Sequence, residues 1–510
     1  MDNDRSYLYL RNLMANGVGG ILLSLIVFFA TPMLIAKLGS EAFALFKISM
    51  STIVSYVLLF DLGMGISIKR RLGKAINTKD VEYSKDILGV GVIYYGTISC
   101  IVFIIVGVCA LIIPSFLQVS SELRIPFIVL IISAGVYVCG NFFYSLINSV
   151  FVVLSRYDIV QGGAICGRFL LYFSPIFILS FYNIGLWAVI ISVLLSALIP
   201  LLLLFFIARF LGVYSGFRIS FTNVSLMREM LSFGVAGMFI LIGPLVINQS
   251  QPIIITKLLD AQSTVDFSVI LLLFSTFSTI VNITASSIYP IVLKKHSEDG
   301  VEISCLFLKT IFRSLYILSI FIFPLWLMGD IFLSEWIAPS YARLYGVLNI
   351  VLLACISIPI TMVSNYVLNA CGEIKLLAYF SVIMAILSIS MSIYFLIYTD
   401  LKLYGVALGL TVPYILLSIA SFLYATYQLR IHNKIFILLK YVGCIFIDCL
   451  IAYVVNLIIK QVFVPESLLS VFVCSGIIGS ILAIANFYLI LQKSDRDSIL
   501  AILKKIYIPH

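Results

Sequence analysis

The chain has 510 residues, of which 62% are hydrophobic and only 11% are charged. A soluble globular chain carries roughly 25% charged residues, so this composition excludes a soluble protein and indicates an integral membrane protein. The net charge of +9 comes from basic residues scattered between apolar segments, which is not the pattern of a nucleic-acid-binding protein. The ten cysteines stand mostly alone in apolar runs, which predicts neither disulfides nor a metal site.

Fourteen apolar runs are each long enough to cross a membrane, since a spanning helix needs roughly 20 apolar residues. The predicted fold class is therefore an all-α polytopic membrane protein with about 14 transmembrane helices. The runs are approximately 17–36, 43–66, 87–113, 125–150, 164–182, 186–208, 231–256, 265–291, 309–328, 344–368, 376–398, 403–427, 436–459 and 468–491.

The distribution of lysine and arginine predicts the orientation of these helices. With the N-terminus in the cytoplasm, 25 of the 32 basic residues fall on the cytoplasmic side and seven on the other side. Both termini are therefore predicted to be cytoplasmic.

An internal repeat is visible at an offset of about 220 residues, where Pro32–Lys37 matches Pro252–Lys257. Six helices per repeat predict two six-helix bundles with the same orientation and a substrate path between them. The predicted domains are an N-terminal bundle (1–215), a C-terminal bundle (216–430), and two additional helices with a cytoplasmic tail (431–510).

Polar side chains follow helical spacing on four predicted spans, two from each half of the repeat. Ionisable and polar groups at membrane depth are costly, so such stripes favour the wall of a hydrated cavity. The alternative is that they join helices by hydrogen bonds. The stripes are Lys47, Ser51 and Ser55; Asn141, Ser145 and Asn148; Ser275, Ser278, Thr279, Asn282 and Ser286; and Ser357, Thr361 and Asn365.

The seventh span is the most unusual, because Gly243-Pro244 and Pro252 bracket a polar stretch that contains Asn248 and Gln251. A proline removes a backbone donor, and an interrupted helix in an early position of each half is typical of a transporter binding site. Pro32 gives the first span a milder counterpart. The alternative is a packing kink whose amides satisfy the freed carbonyls.

Lys47, Arg168 and Arg313 are the candidate cations for contact with a phosphate group. The alternatives are snorkelling for Lys47 and interfacial anchoring for the two arginines, which are predicted about one turn inside their helices. Asp61 is predicted to pair with Arg70 or Arg71 or to cap the turn at Gly63 and Gly65. Asp61, Pro32 and Pro252 are the candidates for coupling or gating, while Asp448 is interpreted as a helix–helix contact.

No Walker A sequence, catalytic nucleophile–base pair or long loop is present, so the sequence indicates a transporter rather than an enzyme. It predicts no bound cofactor. The energy is expected to come from an ion or proton gradient or from later consumption of the product.

Several motifs resemble the polysaccharide-transporter family, the lipid-linked oligosaccharide flippases of the MOP superfamily, which also contains the MATE drug exporters. They are LGSEAFALF at 38–46, DLGMG at 61–65 with its basic exit, NQSQPIIITKLL at 248–259, VLNACGEIK at 367–375 and LYGVALG at 403–409. The resemblance implies alternating access, location in the bacterial inner membrane, and undecaprenyl-diphosphate-linked sugar repeat units, such as those of O-antigen, as cargo. It also implies a cationic cavity, to which Lys257 is a further candidate contributor, and the pathway's polymerase and chain-length machinery as partners.

Two other function classes stay open. A MATE-like exporter coupled to Na⁺ or H⁺ would favour a buried carboxylate, for which Asp61 and Asp266 are the candidates. A membrane glycan polymerase is less favoured, because the outer loops are short and carry few charges.

Overall fold

A computed structural model describes residues 2–78, 80–213, 224–295, 300–463 and 465–489, together with positions 216 and 496. These ranges contain α-helices, one π-helical segment and two 3₁₀ segments, and no strand. The α-helices are α1 (Asp2–Leu38), α2 (Ser40–Lys47), α3 (Val54–Leu58), α4 (Met64–Asn77), α5 (Val81–Phe116), α6 (Ser121–Val153), α7 (Tyr157–Phe181), α8 (Leu186–Phe210), α9 (Val224–Gln249), α10 (Gln251–Leu258), α11 (Ala261–Ala285), α12 (Ile288–Lys295), α13 (Gly300–Trp336), α14 (Tyr345–Ala370), α15 (Ile374–Tyr398), α16 (Leu403–Gln428), α17 (Lys434–Val462) and α18 (Leu468–Leu489).

Thirteen helical segments within the described ranges are long and apolar enough to cross a membrane. They correspond to thirteen of the fourteen predicted runs, so the all-α polytopic fold is confirmed. The remaining run, 231–256, is also helical, in α9 and α10, although the side chains of 233–241 are outside the described part. The cytoplasmic location of the termini stays a prediction, and most of the predicted C-terminal tail lies outside the described residues.

The chain divides into two compact units, Met1–Val269 and Ile270–His510. The first contains α1 to α10 and the beginning of α11, and the second contains the rest. The predicted boundaries at 215 and 430 follow the sequence repeat and stay a prediction, because a repeat boundary and a packing boundary are different properties of a chain.

In the first unit, α6 packs against α4, α5 and α8, while α7 packs against α1 and α8. Small residues permit these close approaches: a Cβ on Gly91 would lie 2.6 Å from a methyl group of Leu146, and one on Gly140 would lie 3.2 Å from the carbonyl oxygen of Ala197. Glycine at such contacts is typical of helix pairs in membranes, where close packing of backbones replaces the hydrophobic effect as the main attraction.

In the second unit, α14 packs against α13 and α16, and α15 packs against α16. The two additional helices, α17 and α18, pack against α13 and against each other. The hydroxyl of Tyr441 on α17 also donates to the carbonyl of Ile356 on α14, at 2.7 Å.

Many buried hydroxyls donate to a carbonyl one turn back on their own helix. A few join two helices instead. The Ser174 and Ser192 hydroxyls are 2.6 Å apart between α7 and α8, and Thr411 and Ser418 on α16 each donate to a carbonyl of α14 at 3.0 Å. Ser357 and Thr361, predicted as cavity wall, are buried and donate to carbonyls of their own helix, α14. The self-bonded hydroxyls include those of Ser24, Thr31, Ser133, Ser149, Ser180 and Thr310.

Candidate functional site

The second predicted span is not one continuous α-helix. A π-helical segment, Ile48–Ile53, lies between α2 and α3, and a 3₁₀ segment, Leu59–Asp61, follows α3. The backbone N–H of Val54 bonds to the carbonyl of Ser49, five residues earlier. A π turn contains an extra residue, so side chains spaced by four no longer share a face.

The π turn changes which polar side chains accompany Lys47. Ser49 and Thr52 are fully buried, while Ser51, the predicted next member of the stripe, is half-buried. The Oγ of Ser49 and the Oγ1 of Thr52 make no hydrogen bond within the described part of the chain. The π turn therefore separates Ser51 from the Lys47 face and places buried Thr52 one π turn after buried Lys47; we call Lys47 and Thr52 the π-turn cluster.

Lys47 is 9% exposed, and its Nζ lies 5.7 Å from the centre of the Phe43 ring. That distance is within the range of a cation–π contact. Among the described residues, no carboxylate lies within ion-pair distance of its Nζ. A buried ammonium is costly unless an anion compensates it, so the π-turn cluster is chemically suited to an anionic ligand.

Arg168 lies farther from the beginning of its helix than the sequence predicts. Helix α7 begins at Tyr157 rather than near 164, so Arg168 is eleven residues, roughly 16 Å, along the helix instead of one turn. Its side chain is exposed. Tyr172 is one turn further on, and its ring meets that of Phe46 at 5.7 Å. The structure thus brings Tyr172, one turn after Arg168, against Phe46, the residue before Lys47.

The seventh span is broken at Ser250, between α9 and α10, as its prolines predict. Pro252 lies at the start of α10 and is buried, as is Gln251. The amide nitrogen of Asn248 donates to the carbonyl of Pro244 at 2.8 Å, one turn back on α9. Its Oδ1 makes no hydrogen bond to any described residue. By contrast, α1 runs through Pro32 without a break.

The break on the seventh span contacts the second span. The hydroxyls of Ser250 and Tyr56, which is on α3, are 2.5 Å apart. Two further contacts join α4, which follows the second span, to α9. Arg71 forms an ion pair with Glu229, and the Ser67 hydroxyl donates to the carbonyl of Met230 at 2.5 Å. The two spans are therefore linked by polar contacts within the first unit.

Polar contacts also lie at the opposite end of these two spans. Ser40, at the beginning of α2, donates to the side chain of Gln262, which in turn donates to buried Asp266 at 2.8 Å. Lys257 donates to the carbonyl of Phe116 at 2.7 Å and lies above its ring. Lys257 thus has partners that Lys47 lacks.

Asp61 does not pair with Arg71, because Arg71 is engaged by Glu229 and by the hydroxyl of Tyr83. Instead the hydroxyl of Tyr95 donates to Asp61 at 2.6 Å, and the backbone N–H of Gly65 lies 3.4 Å from its other oxygen, as predicted for a cap of this turn. Burial lowers the pKa of Lys69 on α4, and the Asp61 carboxylate opposes that shift.

We expect a charge swap to test the Arg71–Glu229 pair. Arg71→Glu should weaken the contact between α4 and α9 because it places two carboxylates together, and Arg71→Glu with Glu229→Arg should restore it. Both side chains are partly exposed, so the coupling energy is expected to be only about 0.3–1 kcal/mol. A double-mutant cycle on melting temperature and transport rate measures it, and additive single effects would show that the pair is not coupled.

The remaining predicted residues lie on other elements. In the first unit, the amide of Asn141 on α6 donates to the carbonyl of Tyr137 at 2.9 Å. In the second unit, exposed Asn282 on α11 accepts from the Tyr366 hydroxyl at 2.5 Å, next to half-buried Asn365 on α14.

Arg313 is exposed and lies thirteen residues, roughly 20 Å, along α13. It is thus also farther from the beginning of its helix than the sequence predicts.

Sequence reasoning missed Ser49, Thr52, Tyr56 and Glu229. The segment Ile48–Ile53 contains no proline or glycine, so its run of hydroxyl residues was the only available signal for an irregular turn. No local signal pointed to Glu229, because its partner is distant in sequence.

No protein-family model and no curated protein matches the sequence. Solved structures do match. A multidrug-resistance MATE family transporter of the MOP superfamily, in an inward-facing conformation, aligns with a TM-score of 0.65 at 15% identity over 81% of this chain and 98% of its own. The lipid II flippase MurJ aligns with a TM-score of 0.63 at 14% identity over 91% of this chain and 98% of its own.

A Vibrio cholerae MATE transporter, VcmN, aligns with a TM-score of 0.56 at 16% identity over 84% of this chain and 99% of its own. Identity this low carries the fold and not the substrate. The chain is therefore a multi-pass membrane protein with the fold that MATE transporters and the lipid II flippase MurJ share.

Proposed function

We propose that this protein flips undecaprenyl-diphosphate-linked oligosaccharide repeat units, such as those of O-antigen, across the bacterial inner membrane by alternating access. The observation that carries the proposal is the π-turn cluster. A buried lysine, with a buried hydroxyl one π turn away and no carboxylate within ion-pair distance among the described residues, favours an anionic cargo over a cationic drug.

The share of this chain that each solved structure covers supports a lipid-linked cargo. The match to the lipid II flippase extends over 91% of this chain, whereas the two MATE transporters described above cover 81% and 84%. Of these three structures, the lipid II flippase therefore matches the most of this chain, and the motif resemblance of the sequence points the same way.

In the proposed mechanism, Lys47 supplies a point charge to the diphosphate and the hydroxyl of Thr52 supplies a hydrogen bond that replaces part of its lost hydration. Arg168, on the neighbouring face of α7, would add a forked donor. The half-buried or buried amides and hydroxyls of the first unit are suited to sugar hydroxyls, while the prenyl chain stays in lipid. These polar residues are Ser51, Asn141, Asn248 and Gln251.

Asn282, Asn365 and Arg313 are proposed as the corresponding contacts on the second unit. Asp61, Pro32 and Pro252 are proposed to act in coupling or gating. The polymerase and chain-length machinery of the same pathway would consume the flipped repeat units and so draw the transport forward.

Deletion of the gene tests the proposal. We expect lipid-linked repeat units to accumulate on the cytoplasmic face and surface polysaccharide to disappear, with both restored by the intact gene on a plasmid. The side of the membrane can be read by access of the glycan to a membrane-impermeant enzyme in oriented vesicles. Normal surface polysaccharide in the deletion strain would overturn the proposal.

The rival is a MATE-like cation-coupled exporter, which the fold supports equally, with TM-scores of 0.65 and 0.63 for the two classes. Asp61 and buried Asp266 are carboxylates that such coupling could use. A deletion strain that keeps its glycan but becomes sensitive to cationic drugs would favour this function.

A further inference from the structure

The carboxyl of Asp448 on α17 is 1% exposed. It lies between three helices of the second unit. The side chains of Ser319 on α13 and Asn486 on α18 are next to it. A carboxyl group in such a position needs hydrogen-bond donors, a counter-ion or a bound cation to compensate its burial.

Two of the neighbouring donor hydrogens are used elsewhere. The amide nitrogen of Asn486 donates to the Ser319 Oγ at 2.9 Å, and that hydroxyl donates to the carbonyl of Tyr316 at 2.9 Å. Neither oxygen of Asp448 receives a well-aligned hydrogen bond from a described residue, and the Oδ1 of Asn486 receives none either. Three buried acceptor oxygens thus share a space in which the Asn486 amide has one N–H left after its bond to Ser319.

No counter-ion fills this gap in the described part of the chain. Lys440 lies two turns before Asp448 on α17, but its Nζ is above the Phe312 ring at 5.3 Å. Helix α18 carries no charged residue between 468 and 489. Arg313 on α13 is exposed and lies about 9 Å along the helix from Ser319. The other titratable side chains nearby are Cys444, Cys449 and Tyr316.

We propose that Asp448 is a proton-binding site. One proton on the carboxyl turns an acceptor into a donor, which satisfies the Oδ1 of Asn486 and removes the buried charge at once. A calcium-like metal cation is a poorer occupant of this site. Such an ion takes about six or more oxygen ligands, and the surrounding backbone carbonyls are already bonded within their helices.

Loss of the proton would leave a charge between α13, α17 and α18, so the packing of the two additional helices depends on the protonation of Asp448. These residues have no place in the proposed cargo contacts, so the proton site stands whether or not the cargo is a lipid-linked glycan.

Asp448→Asn tests the inference, because the amide imitates the neutral acid. Exposed Asp330→Asn, on α13, is the matched control. In lipid nanodiscs, infrared spectra across pH should show a protonated-carboxyl carbonyl band in the parent protein and in Asp330→Asn, and its loss in Asp448→Asn. The same band in Asp448→Asn would overturn the inference.

Stability gives a second readout. If the folded chain holds a proton that the unfolded chain releases, stability must fall as pH rises, by linkage. The melting temperature of the parent should therefore decrease with pH, and that of Asp448→Asn should change less. Equal pH dependence in both would overturn the inference.

Two further measurements separate proton binding from metal binding and from misfolding of the variant. If sodium stabilises the parent protein more than choline does, and Asp448→Asn loses that effect, the occupant of the site is a metal cation and not a proton. If Asp448→Asn does not fold, Asn486→Leu serves instead: it keeps the acid but removes its acceptor and should shift the frequency of the band. An unshifted band would contradict the assignment.

Discussion

Lys47→Met is expected to reduce transport of the lipid-linked glycan by about 10- to 100-fold while the protein folds normally. This range follows from the value of one hydrogen bond to a charged group, about 1.5–3 kcal/mol, at about 1.4 kcal/mol per tenfold. Because Lys47 is buried without a described carboxylate partner, an apolar side chain of similar length should not lower stability.

The measurement is surface polysaccharide together with the melting temperature of the purified variant. Lys37→Met is the matched control, because Lys37 is an exposed lysine at the end of α1. Arg168→Ala should also reduce surface polysaccharide. Full-length surface glycan from both Lys47→Met and Arg168→Ala would remove these residues as cargo contacts and leave snorkelling and anchoring as their roles.

Gly409→Ala is expected to destabilise the second unit by about 1–3 kcal/mol, the usual cost of overpacking. A Cβ at this position on α16 would lie 2.9 Å from the backbone nitrogen and 3.1 Å from the Cα of Ser392 on α15, and it would also meet the Ser392 hydroxyl. Since backbone atoms cannot move aside as a side chain can, the two helices must separate.

Folded yield and melting temperature measure this effect. Gly443→Ala on α17 and Gly476→Ala on α18 are matched controls, because no atom lies within 4 Å of the added Cβ in either. They should be neutral or stabilising, by up to about 1 kcal/mol from helix propensity. Gly409→Ala with Ser392→Gly should recover only part of the loss, since the backbone contact remains. A stable Gly409→Ala would show that α15 and α16 tolerate a wider separation.

The fold was predictable because each span carries its own signal. The length of the continuous apolar runs was enough to predict thirteen of the spanning segments, and Pro252 indicated the break at Ser250. The lengths of helices with polar ends were harder to predict. Helix α7 begins at Tyr157, before the apolar run that marked it in the sequence, so Arg168 was predicted too near the end of its helix.

The candidate site was predictable only in part. Lys47 stood out as a charge in an apolar run, but α-helical spacing assigned Ser51 to its face, and the π turn replaced it by Thr52. The Tyr56–Ser250 and Arg71–Glu229 contacts join positions more than 150 residues apart. Such pairs depend on tertiary packing, which periodicity along one helix does not encode.

The hydroxyls that bond back to their own helices have a consequence for movement. A helix whose polar groups are satisfied internally can slide along a neighbour without exposing a bare donor or acceptor to lipid. Where hydroxyls bridge two helices, as between α7 and α8 and between α14 and α16, separation would strand those groups. Those two pairs should therefore travel as rigid pieces, and shear should concentrate at interfaces that carry only self-bonded hydroxyls.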